Sequence, residues 1–361
     1  MADRQDKFSG TMAQREGFEI DAEILGPYLE AYIEGLTLPI TIDQFKGGQS
    51  NPTYRLKDAN GKPYVLRRKP PGKLLKSAHA IDREYKVITA LYGIGFPVPK
   101  AHHLCLEDQI IGTWFYVMDL VEGRIFWDGS LPTETPQSRG PLFDTMNKTL
   151  ADLHMVDYKA IGLGDYGKGG NYFERQISRW STQYLNDKDA GSLDAMDRLI
   201  EWLPENIPAG DETSITHGDF RIDNMIMDQR EPKVVAVLDW ELSTLGHPLS
   251  DFSYNCLPYR LPNMLFSGLK NLNLESLGIP SEEGYINAYC KRVGRGGIEN
   301  FDFYIAFNLF RLASITHGIL GRVKRGTATS QHAIETAHAC QPLAELSWNE
   351  ALKVIHKSQG I

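Results

Sequence analysis

His217-Gly218-Asp219 stands five residues ahead of Asn224, and the apolar run Met225-Ile226-Met227 follows at once. Transfer of a phosphoryl group to an alcohol needs a carboxylate beside the incoming hydroxyl and oxygen ligands for magnesium. A loop that carries Asp219 and Asn224 and runs straight into a strand can supply both. A second strand, Val234 to Leu238, ends in Asp239-Trp240, so a further carboxylate emerges at a strand tip about twenty residues after Asp219. That is the spacing of a hairpin return. Acidic or amide groups at neighbouring strand ends can form a two-cation site. A lone His-x-Asp would carry little weight. The combination of loop, two strands and terminal Asp-Trp outweighs the alternative, in which these aspartates merely cap and turn the chain.

The elements that must position these groups change character along the chain. Strands are predicted over Thr41–Phe45, Thr53–Lys57 and Tyr64–Arg68, with Asn60-Gly61 turning the last two. A helix is predicted from about Ser77 to Leu91, with Ile81, Tyr85, Ile88 and Leu91 on one face. Gly93, Gly95, Pro97 and Pro99 end it, and a strand from Thr113 to Met118 leads into Asp119-Leu120-Val121-Glu122-Gly123. Beyond that point helical patterns dominate, roughly over 140–156, 171–187, 281–292, 299–324 and 330–356, around a β-like island at 214–240. The sequence thus predicts an α+β protein in three parts: a β-rich segment 1–118, a connector 119–123 and a helical segment 124–361.

Composition narrows the partners. The chain has 361 residues, 42% apolar and 23% charged, without a low-complexity run, which reads as globular. A net charge of −8 gives no general attraction to nucleic acid or anionic membrane, so neither is expected as a partner. The opening MADRQDKFSG places charges where a secretion signal needs an apolar core. The most apolar stretch, Phe303 to Leu320, is interrupted by Asn308, Arg311 and His317, which predicts a buried helix rather than a membrane span. Cys105, Cys256, Cys290 and Cys340 are scattered and are expected as reduced, buried thiols in a cytoplasmic protein. Trp180, Trp202 and Trp348 are expected in the core.

The motifs HGDFRIDNMIMD and VLDWELSTLGHPLSDFSY resemble the catalytic loop and metal-binding segment of the aminoglycoside phosphotransferase and choline kinase group, relatives of the protein kinases. The resemblance runs from about residue 40 to the C-terminus. GGQSNPTY and VLRRKPPG are similar to a subgroup that includes the kinase-like domain fused to some acyl-CoA dehydrogenases. The resemblance implies a protein-kinase-like, two-lobed fold with ATP between the lobes and magnesium on its phosphates. It implies Asp219 as the base and Asn224 and Asp239 as metal ligands. Gly47, Gly48, Gln49, Ser50 and Asn51 fall where a phosphate-covering loop belongs. Arg67 stands where most kinases have a phosphate-binding lysine, with Lys69 as a rival on the same strand face and Glu84 as the acidic partner. The Asp119 carbonyl and Val121 N–H fall where adenine is hydrogen-bonded. His217 and Asp251 fall in supporting positions about the catalytic loop, and His247 replaces a usual aspartate.

The resemblance also implies a small-molecule hydroxyl acceptor, and the subgroup is associated with 4-hydroxyacyl groups, commonly CoA thioesters. Between Tyr259 and Ile361 there are eleven Lys and Arg against eight Asp and Glu, in a chain that is acidic as a whole. An anionic acceptor such as a hydroxyacyl-CoA or hydroxy acid is therefore expected, with Arg311, Arg322 and Arg325 as acceptor-binding candidates. The alternatives are an aminoglycoside or choline-type kinase, and a catalytically silent nucleotide-binding scaffold.

Overall fold

In the computed structural model, which describes residues 9–46, 51–70, 80–263, 265–266, 268–328 and 330–360, the chain forms two compact units. The first comprises Met1–Leu131, Tyr158–Tyr166 and Arg221–Ser243; the second comprises Pro132–Asp157, Gly167–Phe220 and Thr244–Ile361. Residues 124–131, 158–166 and 221–243, placed in the helical segment by the sequence pattern, thus pack with the first unit.

Six strands build the first unit: Thr11–Met12 (β1), Thr41–Phe45 (β2), Thr53–Lys57 (β3), Pro63–Arg68 (β4), Ala101–Cys105 (β5) and Phe115–Asp119 (β6). They form one antiparallel sheet in the order β1-β2-β3-β4-β6-β5. The β3–β4 hairpin turns at Gly61, whose φ of 83° suits glycine. Helix Ala22–Glu30 (α1) contributes Leu25 and Leu29 to a buried cluster with Tyr54, Leu56, Tyr64, Leu66, Phe115 and Val117 of the sheet. Helix Ile81–Gly93 (α2) buries Ile81, Val87, Ile88 and Leu91, and on the same face a carboxylate, Glu84. Its start lies four residues later than predicted; residues 77–79 fall outside the described residues. A short helix, Asp108–Ile111 (α3), precedes β6.

The hairpin of Met225–Met227 and Val234–Val237 also belongs to this unit. Arg124, the residue just after the connector, is fastened to it by reciprocal bonds, Arg124 N–H to the Met227 carbonyl at 2.7 Å and Met227 N–H to the Arg124 carbonyl at 2.9 Å. Gly123 permits that approach, since a Cβ there would lie 2.3 Å from the Met227 oxygen.

The second unit is built on helices Pro136–His154 (α4), Tyr172–Asn186 (α5), Asp194–Glu205 (α6), Pro248–Asn255 (α7), Leu257–Arg260 (α8), Leu274–Leu277 (α9), Glu282–Val293 (α10), Phe301–Lys324 (α11), Gln331–Ala337 (α12) and Cys340–Gln359 (α13). A two-stranded antiparallel pair, Ser214–Thr216 with Thr244–Gly246, completes it. Helix α11 is central and packs on α5, α7, α12 and α13. Length and composition alone would let it span a bilayer, but 72% of its apolar window is buried within protein. Its polar interruptions serve neighbours: Asn308 donates to the Ser250 carbonyl, Arg311 to the Gly218 carbonyl, and His317 Nε2 lies 2.8 Å from the Gly191 carbonyl.

Several expectations are corrected. The helix predicted over 330–356 is two helices, broken at His338 and Ala339. Helices α1 and α6 and strands β1 and β5 were not foreseen. Pro27 inside α1 disguises its helical pattern, and β5 is short with two histidines in place of apolar alternation. Trp180 is buried, whereas Trp202 and Trp348 are only half-buried. All four cysteines are buried and unpaired.

Candidate active site

In the first unit, three elements converge on a cavity of about 280 Å³. Strand β4 supplies Arg67, the connector supplies Asp119, Leu120 and Val121, and the hairpin segment supplies Asn224 and Asp239. Val65, Met118, Ile226 and Val237 give it apolar walls. Apolar walls with a few convergent polar groups suit a flat ring carrying a charged tail. Asp239 is a non-glycine residue at φ 65°, a backbone conformation that normally costs free energy and often marks function. The Leu238 N–H donates to the Asn224 carbonyl at 2.8 Å, tying together the strand ends that carry Asn224 and Asp239.

Arg67 is the hub of the cavity's charges. Its Nε lies 3.0 Å from Glu84 Oε2, while Nη2 donates to Asp239 Oδ1 at 2.6 Å and lies 3.5 Å from Glu241. Burial works against its charge, but Glu84 and Asp239 outweigh that and hold the guanidinium above its ordinary pKa. Glu84 is 1% exposed, and burial pushes its carboxyl up against the opposing pull of Arg67. Tyr116 donates to Glu84 at 3.2 Å, and burial followed by the Glu84 charge raises its phenol so that it remains a donor. The rival cation, Lys69, lies just beyond the end of β4 at Arg68, with its ammonium 3.8 Å over the Trp114 ring. Asn51, also buried, donates through its side-chain amide to Glu84 at 3.1 Å and to Glu241 at 3.2 Å. Gly47, Gly48, Gln49 and Ser50 lie outside the described residues.

Among the described residues, no cluster of three or more His, Cys, Asp or Glu forms a ready-made metal cage. Asn224 and Asp239 nevertheless bring hard oxygen donors to one cavity. Magnesium takes one or two protein oxygens and completes its octahedron with phosphate and water, so this donor set fits it.

In the second unit, the loop His217–Phe220 is held by buried side chains acting on its backbone. Asp251, on α7 and 2% exposed, accepts the N–H of His217 at 2.6 Å and of Gly218 at 2.9 Å. Gly218 has φ 82°, which glycine adopts without strain. Burial raises the Asp251 carboxyl, but His154, 3.4 Å away, and the loop N–H groups outweigh it and hold the pKa below the usual carboxylate value. His217 Nδ1 accepts the Asp219 N–H at 3.2 Å, and the Tyr254 hydroxyl donates to Asp219 Oδ1 at 2.6 Å. His247 caps α7 by accepting the Leu249 N–H, a role within reach of the aspartate it replaces, and burial lowers its pKa to about 4.

Of the acceptor candidates, Arg311 is buried and donates to the Gly218 carbonyl at 2.7 Å, which makes it a brace for the loop. Arg325 bonds Asp187 at 2.6 Å and Asp189 at 2.9 Å. Arg322 is exposed near the C-terminal end of α11, one turn before Arg325. Sequence reasoning missed Tyr116, Glu241 and Tyr254. Glu241, two residues beyond Asp239, and Tyr254, three beyond Asp251, lay inside the quoted motif but acquire a role only through folding.

Comparison with known proteins identifies the family and the fold. The phosphotransferase enzyme family (APH) model matches residues 41–270. Mouse acyl-CoA dehydrogenase family member 10 is 43% identical over 332 residues, covering 90% of this chain and 31% of that protein. The chain spans less than half the length of the curated relatives it matches. A crystal structure from Ralstonia eutropha JMP134, provisionally named an aminoglycoside phosphotransferase, superposes with a TM-score of 0.86 at 46% identity, covering 93% of this chain and 99% of that one. Cryptosporidium parvum choline kinase shares the fold, with a TM-score of 0.63 at 12% identity over 94% of this chain and 97% of its own. With a kinase-like α+β fold and a family model matched over most of its length, this chain belongs to the phosphotransferase enzyme family.

Proposed function

We propose that the chain transfers the γ-phosphoryl group of ATP to a hydroxyl of a hydroxyacyl-CoA or hydroxy acid. The observation that carries the nucleotide half is the convergence of Arg67, Asn224 and Asp239 on one apolar-walled cavity beside the connector. The purine ring would lie against Val65, Met118 and Ile226, with its edge on the Asp119 carbonyl and Val121 N–H. Arg67, oriented by Glu84, would take phosphate oxygens in exchange for its bond to Asp239. Asn224 and Asp239 would hold magnesium, which neutralises charge on the β- and γ-phosphates when bound. Asp219 would accept the proton of the acceptor hydroxyl as its oxygen attacks the γ-phosphorus, and ADP would leave. Positioning and charge neutralisation supply most of the acceleration in such a reaction.

The acceptor class draws on two supports: the relatives named acyl-CoA dehydrogenase family members, and the basic excess of residues 259–361 in an acidic chain. A polycationic aminoglycoside would call for clustered carboxylates there. The test compares kcat/KM for kanamycin-type aminoglycosides, choline, free hydroxy acids and their CoA thioesters, with magnesium and ATP fixed. Thioester turnover that falls as salt rises supports the reading. Turnover of an aminoglycoside alone overturns the acceptor class and leaves the kinase chemistry standing. Asp219→Asn should lower kcat about a hundredfold or more.

A further inference from the structure

We propose that Tyr254 is a positioning residue for the phosphoryl-transfer step, fixing the rotation of the Asp219 carboxylate, with Arg311 holding both the tyrosine ring and the loop. The proposal rests on the reading of Asp219 as base. A carboxylate turns about its last side-chain torsion over a broad, two-fold profile, so a base that must meet one incoming hydroxyl needs an external restraint. The Tyr254 phenol supplies it, donating to Asp219 Oδ1 at 2.6 Å, the length of a charge-assisted O–H···O bond.

Tyr254 lies three residues after Asp251 on α7, about one turn away and on the same side of the helix. One helix therefore fixes the loop twice: Asp251 holds the backbone N–H groups of His217 and Gly218, and Tyr254 holds the working side chain. The ring is itself restrained, buried at 7% exposure with the Arg311 guanidinium 5.3 Å from its centroid. Arg311 also donates to the Gly218 carbonyl, so a displacement of its helix would move ring and loop together. Asp219 is thus held from the loop by His217, from α7 by Tyr254 and, through Gly218, from α11 by Arg311.

Tyr254→Phe keeps the ring and its contact with Arg311 and deletes only the hydroxyl. ADP release from magnesium ATP is followed with a 4-hydroxyacyl-CoA thioester and with water alone as acceptor, alongside thermal unfolding and calorimetric ATP binding. The expected result is a kcat lowered about tenfold or more, with KM and affinity for ATP within about twofold of wild type and an unchanged melting temperature. On the Asp219→Asn background the same change should cost nothing further, because the group it restrains is gone. Tyr254→Phe with undiminished kcat, while Asp219→Asn is crippled, overturns the positioning role and leaves the base intact. A further loss on the Asp219→Asn background also overturns it, since Tyr254 would then act through something else. Full turnover by Asp219→Asn removes the base reading and this proposal with it.

Discussion

Arg67 in the first unit and Asp251 in the second are both buried, charged and surrounded by partners, yet the partners differ in kind. Around Arg67 the partners are charged side chains, Glu84, Asp239 and Glu241, and the cavity opens on one of them. Around Asp251 they are two backbone N–H groups and a histidine. A side-chain ion pair at a cavity wall can exchange one partner for a phosphate or a metal. A carboxylate that satisfies buried main-chain donors has no such freedom, because leaving them unpaired carries the full desolvation penalty. The first arrangement is suited to binding and the second to holding a loop still.

That contrast predicts where substitutions should register. Asp251→Ala strands the His217 and Gly218 donors and should lower unfolding free energy by about 3–5 kcal/mol in urea titration, with turnover lost alongside. A loss below about 1 kcal/mol would mean that the loop holds without it. His247 sharpens the same side. Its folded pKa of about 4 lies below the unfolded 6.5, so the unfolded chain binds the extra proton as pH falls. Its contribution is complete above about pH 6.5 and is lost progressively down to about pH 4, on the order of 3 kcal/mol in all. Asn at this position can still cap α7, so His247→Asn should flatten that part of the stability–pH curve. An unchanged curve would remove His247 as its source.

On the binding side the effects should appear in ligand response. Asp239→Ala should raise the magnesium requirement and lower kcat about a hundredfold. A magnesium titration and rate matching wild type would detach Asp239 from the metal. Arg67→Ala should raise the KM for ATP about tenfold, while Lys69→Ala, which only lifts a cation from the Trp114 ring, should leave it within about twofold. Equal losses would place the phosphate contact elsewhere.

The linear sequence by itself located the loop carrying Asp219, the two strand ends carrying Asn224 and Asp239, and the β2–β3–β4 meander. Each depends on residue types at short spacing or on strand and helix periodicity, which local sterics enforce. The family resemblance added Glu84 as the acidic partner of Arg67 and the supporting place of Asp251 beside the loop. The tertiary structure decided what depends on residues far apart in the chain. Asn51 meets Glu241 across 190 positions, Arg67 meets Asp239 across 172, and Arg311 meets the Gly218 carbonyl across 93. Arg311 and Arg325 read as acceptor-binding candidates in the sequence, because a guanidinium carries no sign of its partner. Packing placed one against the Gly218 carbonyl and the other against Asp187 and Asp189. A side chain's type limits which bonds it can make, and only the fold brings the opposite group within 3 Å.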